Sequence, residues 1–184
     1  TATSMLAGIG MGRLSGFAPI IVDAGTPERL VVGTATEGLF DVFGVKPLLG
    51  RAFSAADRQP GAPAVVMVGH RYWQSRLQGA PDVLGRVIRV DDTPSTIVGV
   101  MPAGFHPRTM VWQPHVTPTS MRSMRGSGVP VYARLRPDAQ PEVVARSLVT
   151  RLVPDPRTGP TNLWLVPLYD LTIERHRRTV VLRE

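Results

Sequence analysis

Cysteine is absent from this 184-residue chain, and lysine occurs once, as Lys46. Without cysteine, the chain can form neither a disulfide framework nor a thiolate metal or redox site. The phosphate-binding loop of nucleotide hydrolases places a lysine directly after a glycine. Since Val45 precedes Lys46, that loop is excluded, and we expect no ATP hydrolysis by this chain.

Long hydrophobic runs are also lacking. No stretch approaches the roughly 18 consecutive apolar residues of a membrane-spanning helix, although 43% of the residues are hydrophobic. Residues 1–12 lack the basic start and long apolar segment of a secretory signal. The chain begins with Thr1 rather than Met, so we expect it to be a segment of a longer protein.

The net charge of +7 is carried almost entirely by arginine. A basic chain can bind nucleic acid, anionic lipid or an acidic partner. The arginines are scattered, however, and the only tight run is Arg175-His176-Arg177-Arg178. The aromatic and basic residues of Arg71–Arg76 are typical of base-stacking proteins, but on a helix Trp73 and Leu77 would face the core. We therefore predict no nucleic-acid binding.

Short apolar segments separated by Gly and Pro predict an α+β fold with mixed, mostly antiparallel sheets and short helices. We predict strands at Phe17–Asp23, Arg29–Thr34, Ala64–Val68, Arg86–Val90, Ser95–Met101, Val129–Leu135 and Asn162–Leu168. The first two of these strands are predicted to form a hairpin, and so are Arg86–Val90 and Ser95–Met101. Helices are predicted at Glu37–Phe43, which Gly44 would end, His70–Leu77 and Pro141–Leu152, with Ser54 capping a short turn. Four further segments are interpreted as a helix tail (Thr3–Ala7), a glycine loop (Gly8–Gly16), a short edge strand (Met110–Gln113) and a mobile loop (Thr117–Gly128).

A metal site has weak support. None of the four histidines (His70, His106, His115, His176) is spaced to place two imidazoles on one helix face. His106 and His115 could converge with Asp57, but a solvated or hydrogen-bonded histidine is the commoner outcome. No metal is predicted.

Catalytic and cofactor motifs are incomplete. The glycines of Gly8–Gly16 superficially follow a dinucleotide fingerprint, but Arg13 and Ser15 stand where the third glycine belongs. Gly126–Gly128 is too short for a serine nucleophile elbow. Asp91 and Asp92 are adjacent on a predicted turn and cannot flank one glycosidic bond. We therefore assign no catalytic, cofactor-binding or metal residues and predict that the chain is not an enzyme.

Three segments in combination carry a family resemblance: Gly38–Phe53, Val65–Trp73, and Leu84–Val90 followed by Thr96–Pro102. Together they resemble the MacB-like periplasmic core domain of MacB/FtsX-type ABC transporter permeases. The resemblance is strongest over residues 28–115 and continues through Tyr132–Pro137 and the following helix.

The resemblance implies two lobes. A porter-like lobe would comprise residues 1–35 and 129–184, the latter leading to a membrane helix, and residues 36–128 would form an inserted lobe. The domain would lie on the periplasmic side of a bacterial inner membrane, between two membrane helices of the permease.

The implied function is non-catalytic coupling of ATP-driven membrane-helix motion to substrate export or partner binding, without a cofactor. The implied partners are an ABC ATPase subunit or permease copies. A periplasmic adaptor, an exported substrate or a second copy in a homodimer are further candidates. The alternative is a stand-alone secreted or periplasmic binding module with the same fold.

Overall fold

A computed structural model describes residues 5–14, 17–22, 28–106, 108–116, 130–149, 164–167 and 179–183. The strands in this part of the chain are β1 (Leu6–Arg13), β2 (Phe17–Val22), β3 (Glu28–Ala35), β4 (Leu49–Gly50), β5 (Val65–Val68), β6 (Val87–Val90), β7 (Thr93–Val100), β8 (Val111–Pro114), β9 (Val131–Leu135), β10 (Trp164–Pro167) and β11 (Thr179–Arg183). The helices are α1 (Glu37–Phe43), α2 (His70–Arg76) and α3 (Pro141–Val149), with a 3₁₀ turn at Ala55–Arg58.

The predicted fold class is confirmed. Nine of the eleven strand pairings in the described residues are antiparallel, and β3–β8 and β5–β7 are parallel. The helices have seven to nine residues. The result is a mixed α+β fold dominated by short antiparallel strands.

Six strands close on themselves in the order β3-β2-β6-β7-β5-β8, because β8 also pairs with β3. We call this ring the barrel. All six strands contribute side chains to one core cluster, which therefore fills the barrel interior: Ile20, Val32, Val66, Val68, Ile88, Val90, Ile97, Val100 and Val111. Tyr72 and Leu77 join the same cluster, so α2 covers the barrel. Closure leaves these strands without a free edge.

Four strands in the order β10-β11-β9-β1 form a second sheet, which we call the terminal sheet. It combines the first of the described strands with the last three. Helix α3 packs here through Val144, which is buried with Leu135 of β9. Strand β1 is shared, since its end also pairs with β3 of the barrel.

Helix α1 lies between the two sheets in a second core cluster. Its Leu39, Phe40, Val42 and Phe43 are buried. They pack with Met67 and Trp112 from the barrel strands β5 and β8, and with Tyr132 from β9 of the terminal sheet. Gly44 ends the helix with a φ of 67°, as the sequence predicts, because glycine reaches the left-handed region without strain.

The predicted helix tail and glycine loop at the start of the chain are wrong. Leu6–Arg13 forms strand β1, and Gly8, Gly10 and Gly12 alternate along it. A Cβ atom at Gly10 would overlap the backbone of Leu39 in α1. The glycines therefore allow a helix to approach the strand closely, and the poor intrinsic strand propensity of glycine hides the strand in the sequence.

The predicted edge strand at Met110–Gln113 is also placed wrongly. Strand β8 lies inside the sheet, antiparallel to β5 and parallel to β3. Trp112 on this strand is fully buried. Its parallel partner is distant in sequence, so no local turn signal indicates the pairing.

The predicted hairpin of β6 and β7 is confirmed, with a tighter turn than expected. Asp91 and Asp92 have φ angles of 47° and 62° and form a two-residue connection. Pro94 belongs to β7, opposite Arg89. The hairpin of β2 and β3 is also confirmed. The predicted mobile loop Thr117–Gly128 lies outside the described residues.

Strands β2 and β3 fall within residues 1–35, the segment expected to begin the porter-like lobe, yet they pair with β6 and β8 in the barrel. The division of the chain at residues 35/36 and 128/129 stays a prediction.

Candidate functional site

The junction between the terminal sheet and the barrel is the best candidate for a functional region. Its backbone link is narrow. Strand β1 pairs with β9 from Leu6 to Met11, but with β3 only at Gly12 and Arg13. Among the described residues, ladder pairing between the two sheets is therefore limited to these two positions, while α1 packs against both sheets.

An aromatic cluster fills this junction. The Phe40 ring lies 5.5 Å from the ring of Trp112 and 5.9 Å from that of Phe105, centroid to centroid. The Phe43 ring lies 5.5 Å from that of Tyr132 on β9. Aromatic pairs at such separations each contribute about 0.5–1.5 kcal/mol beyond their buried area. The cluster thus holds α1 against both sheets at once.

His106 belongs to this cluster rather than to a metal site. Its ring centroid lies 4.8 Å from that of Phe105, 5.7 Å from that of Phe43 and 5.8 Å from that of Trp112. Burial lowers the pKa of His106 to about 4. The imidazole is therefore neutral at physiological pH, and its role in the described surroundings is packing.

His115 lies at the end of β8, where it is 7% exposed. Its Nδ1 is 3.3 Å from Oγ1 of Thr34 on the neighbouring β3. Burial lowers the pKa of the His115 imidazole, and the positive charges of Arg13 and Arg58 lower it further. The site thus favours a neutral histidine that takes part in a hydrogen bond between strands.

Asp57 has a structural role in the turn that the sequence predicts. It accepts hydrogen bonds from the backbone N–H and the hydroxyl of Ser54, which is the expected capping residue. It also pairs with the guanidinium of Arg51 at 2.7 Å, which holds the pKa of the Asp57 carboxyl well below its usual range. Asp57, His106 and His115 therefore each interact with different residues and do not form a shared site. Within the described ranges, no group of three or more His, Asp or Glu side chains is placed to hold a metal ion.

A small cleft opens beside His106. It has a volume of about 80 Å³ and is bordered by the start of α2 and by residues 102–106. Pockets for small-molecule substrates or cofactors enclose roughly 300–1,000 Å³. The cleft is therefore too small for a site of that class.

The aromatic and basic residues of α2 lie as the core interpretation predicts. Tyr72 and Leu77 are buried, while Trp73 is half-buried and donates its Nε1–H to the carbonyl of Ala80. Arg76 pairs with Glu28 at 2.6 Å. Asp91 and Asp92 are exposed on their turn. The Gly126–Gly128 segment, His176 and the run Arg175–Arg178 lie outside the described residues.

Sequence reasoning missed two features of the junction. The first is the close contact at Gly10, for which the alternation of Gly8, Gly10 and Gly12 was the available signal, since side chains on one strand face recur every second residue. The second is Arg134 on β9, which donates two hydrogen bonds to the carbonyl of Val42 in α1. No local pattern marks a contact between residues so distant in sequence.

Among the described residues, no helix is both long and apolar enough to cross a membrane. A search of curated protein sequences gives no match. The three solved structures described next are 16–18% identical to this chain, so they support the fold alone.

The first of these structures is the periplasmic region of MacB from Actinobacillus actinomycetemcomitans. It is 18% identical, has a TM-score of 0.63, and is matched over 80% of this chain and 66% of its own length. The extracellular domain of the ABC-type transporter YknZ from Gram-positive bacteria is 16% identical, with a TM-score of 0.57 and coverage of 80% and 76%. A domain from a Porphyromonas gingivalis protein described as a permease is 18% identical, with a TM-score of 0.65 and coverage of 96% and 72%.

This chain therefore spans about two thirds of the MacB periplasmic region. The model of the MacB-like periplasmic core domain matches residues 5–151, most of the chain. The family resemblance found in the sequence is thereby confirmed, and the chain belongs to the MacB-like periplasmic core domain family of ABC transporter permeases.

Proposed function

We propose that this chain is the non-catalytic periplasmic domain of a bacterial inner-membrane permease, and that it transmits ATP-driven movement of membrane helices to an exported substrate or a periplasmic partner. One observation carries the proposal. Among the described strands, the first and the last three all belong to the terminal sheet. Forces applied at both ends of the domain would therefore enter the same sheet.

The strand pairings favour this route. Strand β11 pairs with β9 from Thr179 to Leu182, and β9 pairs with β1 from Leu135 to Val131. A ladder of backbone hydrogen bonds therefore joins the C-terminal strands to the N-terminal strand. Such a ladder shifts as a unit more readily than it deforms, because the deformation would break several hydrogen bonds together.

The two predicted lobes fit this arrangement in outline. We identify the porter-like lobe with the terminal sheet and α3, and the inserted lobe with the barrel. Because β2 and β3 pair inside the barrel, the pairings favour a first boundary ahead of Phe17. We keep the second boundary at residues 128/129, just ahead of β9, which begins at Val131.

The absence of catalysis is part of the proposal. The small cleft, the half-buried neutral His106 and the structural role of Asp57 support a domain that binds or moves partners rather than one that converts substrates. An ATPase subunit and permease copies are the proposed partners inside the transporter. An adaptor, an exported substrate and a second copy of the domain are the candidates outside the membrane.

The proposal is tested in the parent membrane protein, reconstituted with its ATPase in lipid nanodiscs. Because the chain has no cysteine, Glu142→Cys places a single label in the domain, on the exposed side of α3 beside the terminal sheet. The distance from this label to paramagnetic lipid headgroups is measured with ADP and with a non-hydrolysable ATP analogue. We expect the distance to differ between the two nucleotides.

The isolated 184-residue chain is the control. We expect it to show neither ATP hydrolysis nor a shift of melting temperature with ATP. A label distance that stays the same in every nucleotide state would contradict force transmission. A parent gene without membrane-spanning segments on either side would favour the stand-alone binding module instead.

A further inference from the structure

We propose that α1 is the element that locks the barrel to the terminal sheet, and that Arg134 is the positioning residue that fixes α1 in place. The lock itself is a property of the isolated chain. Its consequence for transport rests on the proposed function, since a loose α1 would let the terminal sheet move without the barrel.

The N-terminal end of α1 is tied to β1 by a reciprocal pair of hydrogen bonds. The backbone N–H of Thr36 donates to the carbonyl of Met11 at 2.8 Å. In return, the backbone N–H of Met11 donates to Oγ1 of Thr36 at 2.9 Å. Thr36 is the N-cap residue of α1 and is 7% exposed. The helix start is therefore held directly on the terminal sheet.

The first turn of α1 lies backbone to backbone on β1. A Cβ atom at Gly10 would overlap the backbone of Leu39, and one at Gly38 would overlap the carbonyl oxygen of Ile9. The two glycines face each other across the contact. Contact of this kind is stiff, because it contains no side chain that could change rotamer.

The C-terminal end of α1 is tied to β9. The last four carbonyls of a helix lack partners inside the helix. In α1, the carbonyls of Phe40 and Asp41 accept from the N–H groups of Val45 and Gly44. The Val42 carbonyl accepts from Nε and Nη2 of Arg134 at 2.8 and 2.6 Å. A cation at this end also opposes the negative end of the helix dipole.

The opposite face of α1 belongs to the barrel. Phe40 packs on Phe53, Phe105 and Trp112. The helix is thus held at both ends by the terminal sheet and presents its aromatic face to the barrel. Among the described strands, the ladder pairing that joins the two sheets is limited to Gly12 and Arg13. Among the described residues, α1 is therefore the broadest connection between the two sheets.

The lock is tested in the 184-residue chain with two spin labels. Ser75→Cys places one on the exposed side of α2, which packs on the barrel, and Glu142→Cys places the other on α3 beside the terminal sheet. Pulsed electron spin resonance gives the distribution of distances between them. We expect a narrow distribution in the parent chain, a broader one in Arg134→Met, and a return toward the narrow one in Arg134→Lys, which restores a donor.

Hydrogen exchange provides the second readout. In Arg134→Met we expect roughly tenfold to hundredfold faster exchange of the Gly44 and Val45 amides, because a charge-assisted hydrogen bond is lost beside them. The amides of β5 in the barrel should exchange at their original rates. Arg136→Met is the matched control. It also removes an arginine, but the guanidinium of Arg136 makes an exposed pair with Asp138 at 3.4 Å rather than a bond to α1.

An unchanged distance distribution in folded Arg134→Met would overturn the lock, as would broadening that Arg134→Lys leaves in place. If Arg134→Met does not fold, Thr36→Val removes the hydrogen bond from Met11 to Oγ1 of Thr36, one of the two N-terminal bonds, and is expected to broaden the same distribution. These outcomes are independent of nucleotide. The two proposals can fail separately. If the isolated chain gives the narrow distance distribution but the label-to-headgroup distance in nanodiscs does not change with nucleotide, the proposed function is refuted and the lock is retained.

Discussion

Gly10 illustrates how one residue without a side chain can determine the contact between a helix and a strand. Its backbone lies so close to that of Leu39 that no Cβ fits. Gly8 is on the same strand face, but a Cβ there would meet only the side chain of Val42, at an ordinary 3.6 Å. The two positions therefore form a matched pair.

We predict that Gly10→Ala destabilises the chain by about 1–3 kcal/mol, the usual cost of forcing extra atoms into a packed contact. Gly8→Ala should be neutral or stabilise by up to about 1 kcal/mol, since it reduces the freedom of the unfolded chain. Urea unfolding of both variants measures the difference. Equal stability of the two variants would refute the close contact.

His106 makes the stability of the fold depend on pH. Its pKa is about 4 in the folded chain, against an ordinary value of 6.5, because burial disfavours the charged form. The unfolded chain therefore binds a proton at a higher pH than the folded chain does. The contribution of His106 to the free energy of unfolding is fully present above pH 6.5. It is lost as the pH falls from 6.5 to about 4, and it does not change further at lower pH.

We predict a loss of at most about 3 kcal/mol from His106 across this window. His115 adds a loss of the same sign, because its pKa is also lowered. His106→Asn, which tolerates the φ of 39° at this position, should reduce the slope of stability against pH. Denaturant midpoints at a series of pH values measure the slope, and an unaltered slope in the variant would show that another group is responsible.

At the scale of elements, the 3₁₀ turn at Ala55–Arg58 depends on one carboxylate. Asp57 is 9% exposed at its side chain and accepts from Ser54 and Arg51. Asp138 also pairs with an arginine, but its side chain is 76% exposed. Water screens the second pair, so the two acidic residues should differ in their contribution to stability.

We expect Asp57→Ala to cost about 1–2 kcal/mol, as the loss of a helix cap usually does, because Asp57 is the capping-box partner of Ser54. Asp138→Ala should change stability by less than about 0.5 kcal/mol. Thermal unfolding of the two variants at neutral pH compares them directly. If Asp138→Ala lost more stability than Asp57→Ala, solvent exposure would not be what determines how much these ion pairs contribute to stability.

Elements with a local signal were predictable. The turn residues Asp91 and Asp92 mark the β6–β7 hairpin, and Gly44 marks the end of α1. Strand β1 was missed, because its glycines resemble a loop until the partner helix is known. The position of β8 was also wrong, since its parallel pairing with β3 joins residues about 80 positions apart, for example Val32 and Val111. The contact of Arg134 with Val42 is likewise nonlocal, and it ties α1 to β9 at the candidate junction.

At the scale of the whole molecule, two of the three hydrophobic clusters found among the described residues share strands. In β5, Val66 and Val68 point into the barrel cluster, while Val65 and Met67 join the cluster around α1. In β8, Val111 and Trp112 divide in the same way. Alternation along a strand places successive side chains on opposite faces. Separation of β5 or β8 from its neighbours would therefore disrupt the barrel cluster and the cluster around α1 together.

Among the side chains that the structure describes, the third cluster is much smaller. Its buried residues are Leu135 and Val144, with partly buried neighbours Met5, Leu6 and Ala139. Regions with few buried apolar contacts open at a lower free energy than the global core. The α3 region should thus unfold locally while the barrel and α1 stay intact.

We predict that native-state hydrogen exchange separates these two levels. The amides of β5 and β8 should exchange only through global unfolding, and those of α3 should exchange faster. Val66→Ala should lower the free energy of unfolding by about 2 kcal/mol or more and accelerate exchange in β5, β8 and α1 alike. Val144→Ala should accelerate exchange in α3 while leaving β5 protected. If Val144→Ala accelerates β5 as much as Val66→Ala does, the chain unfolds as one cooperative unit, and α3 cannot move independently of the barrel.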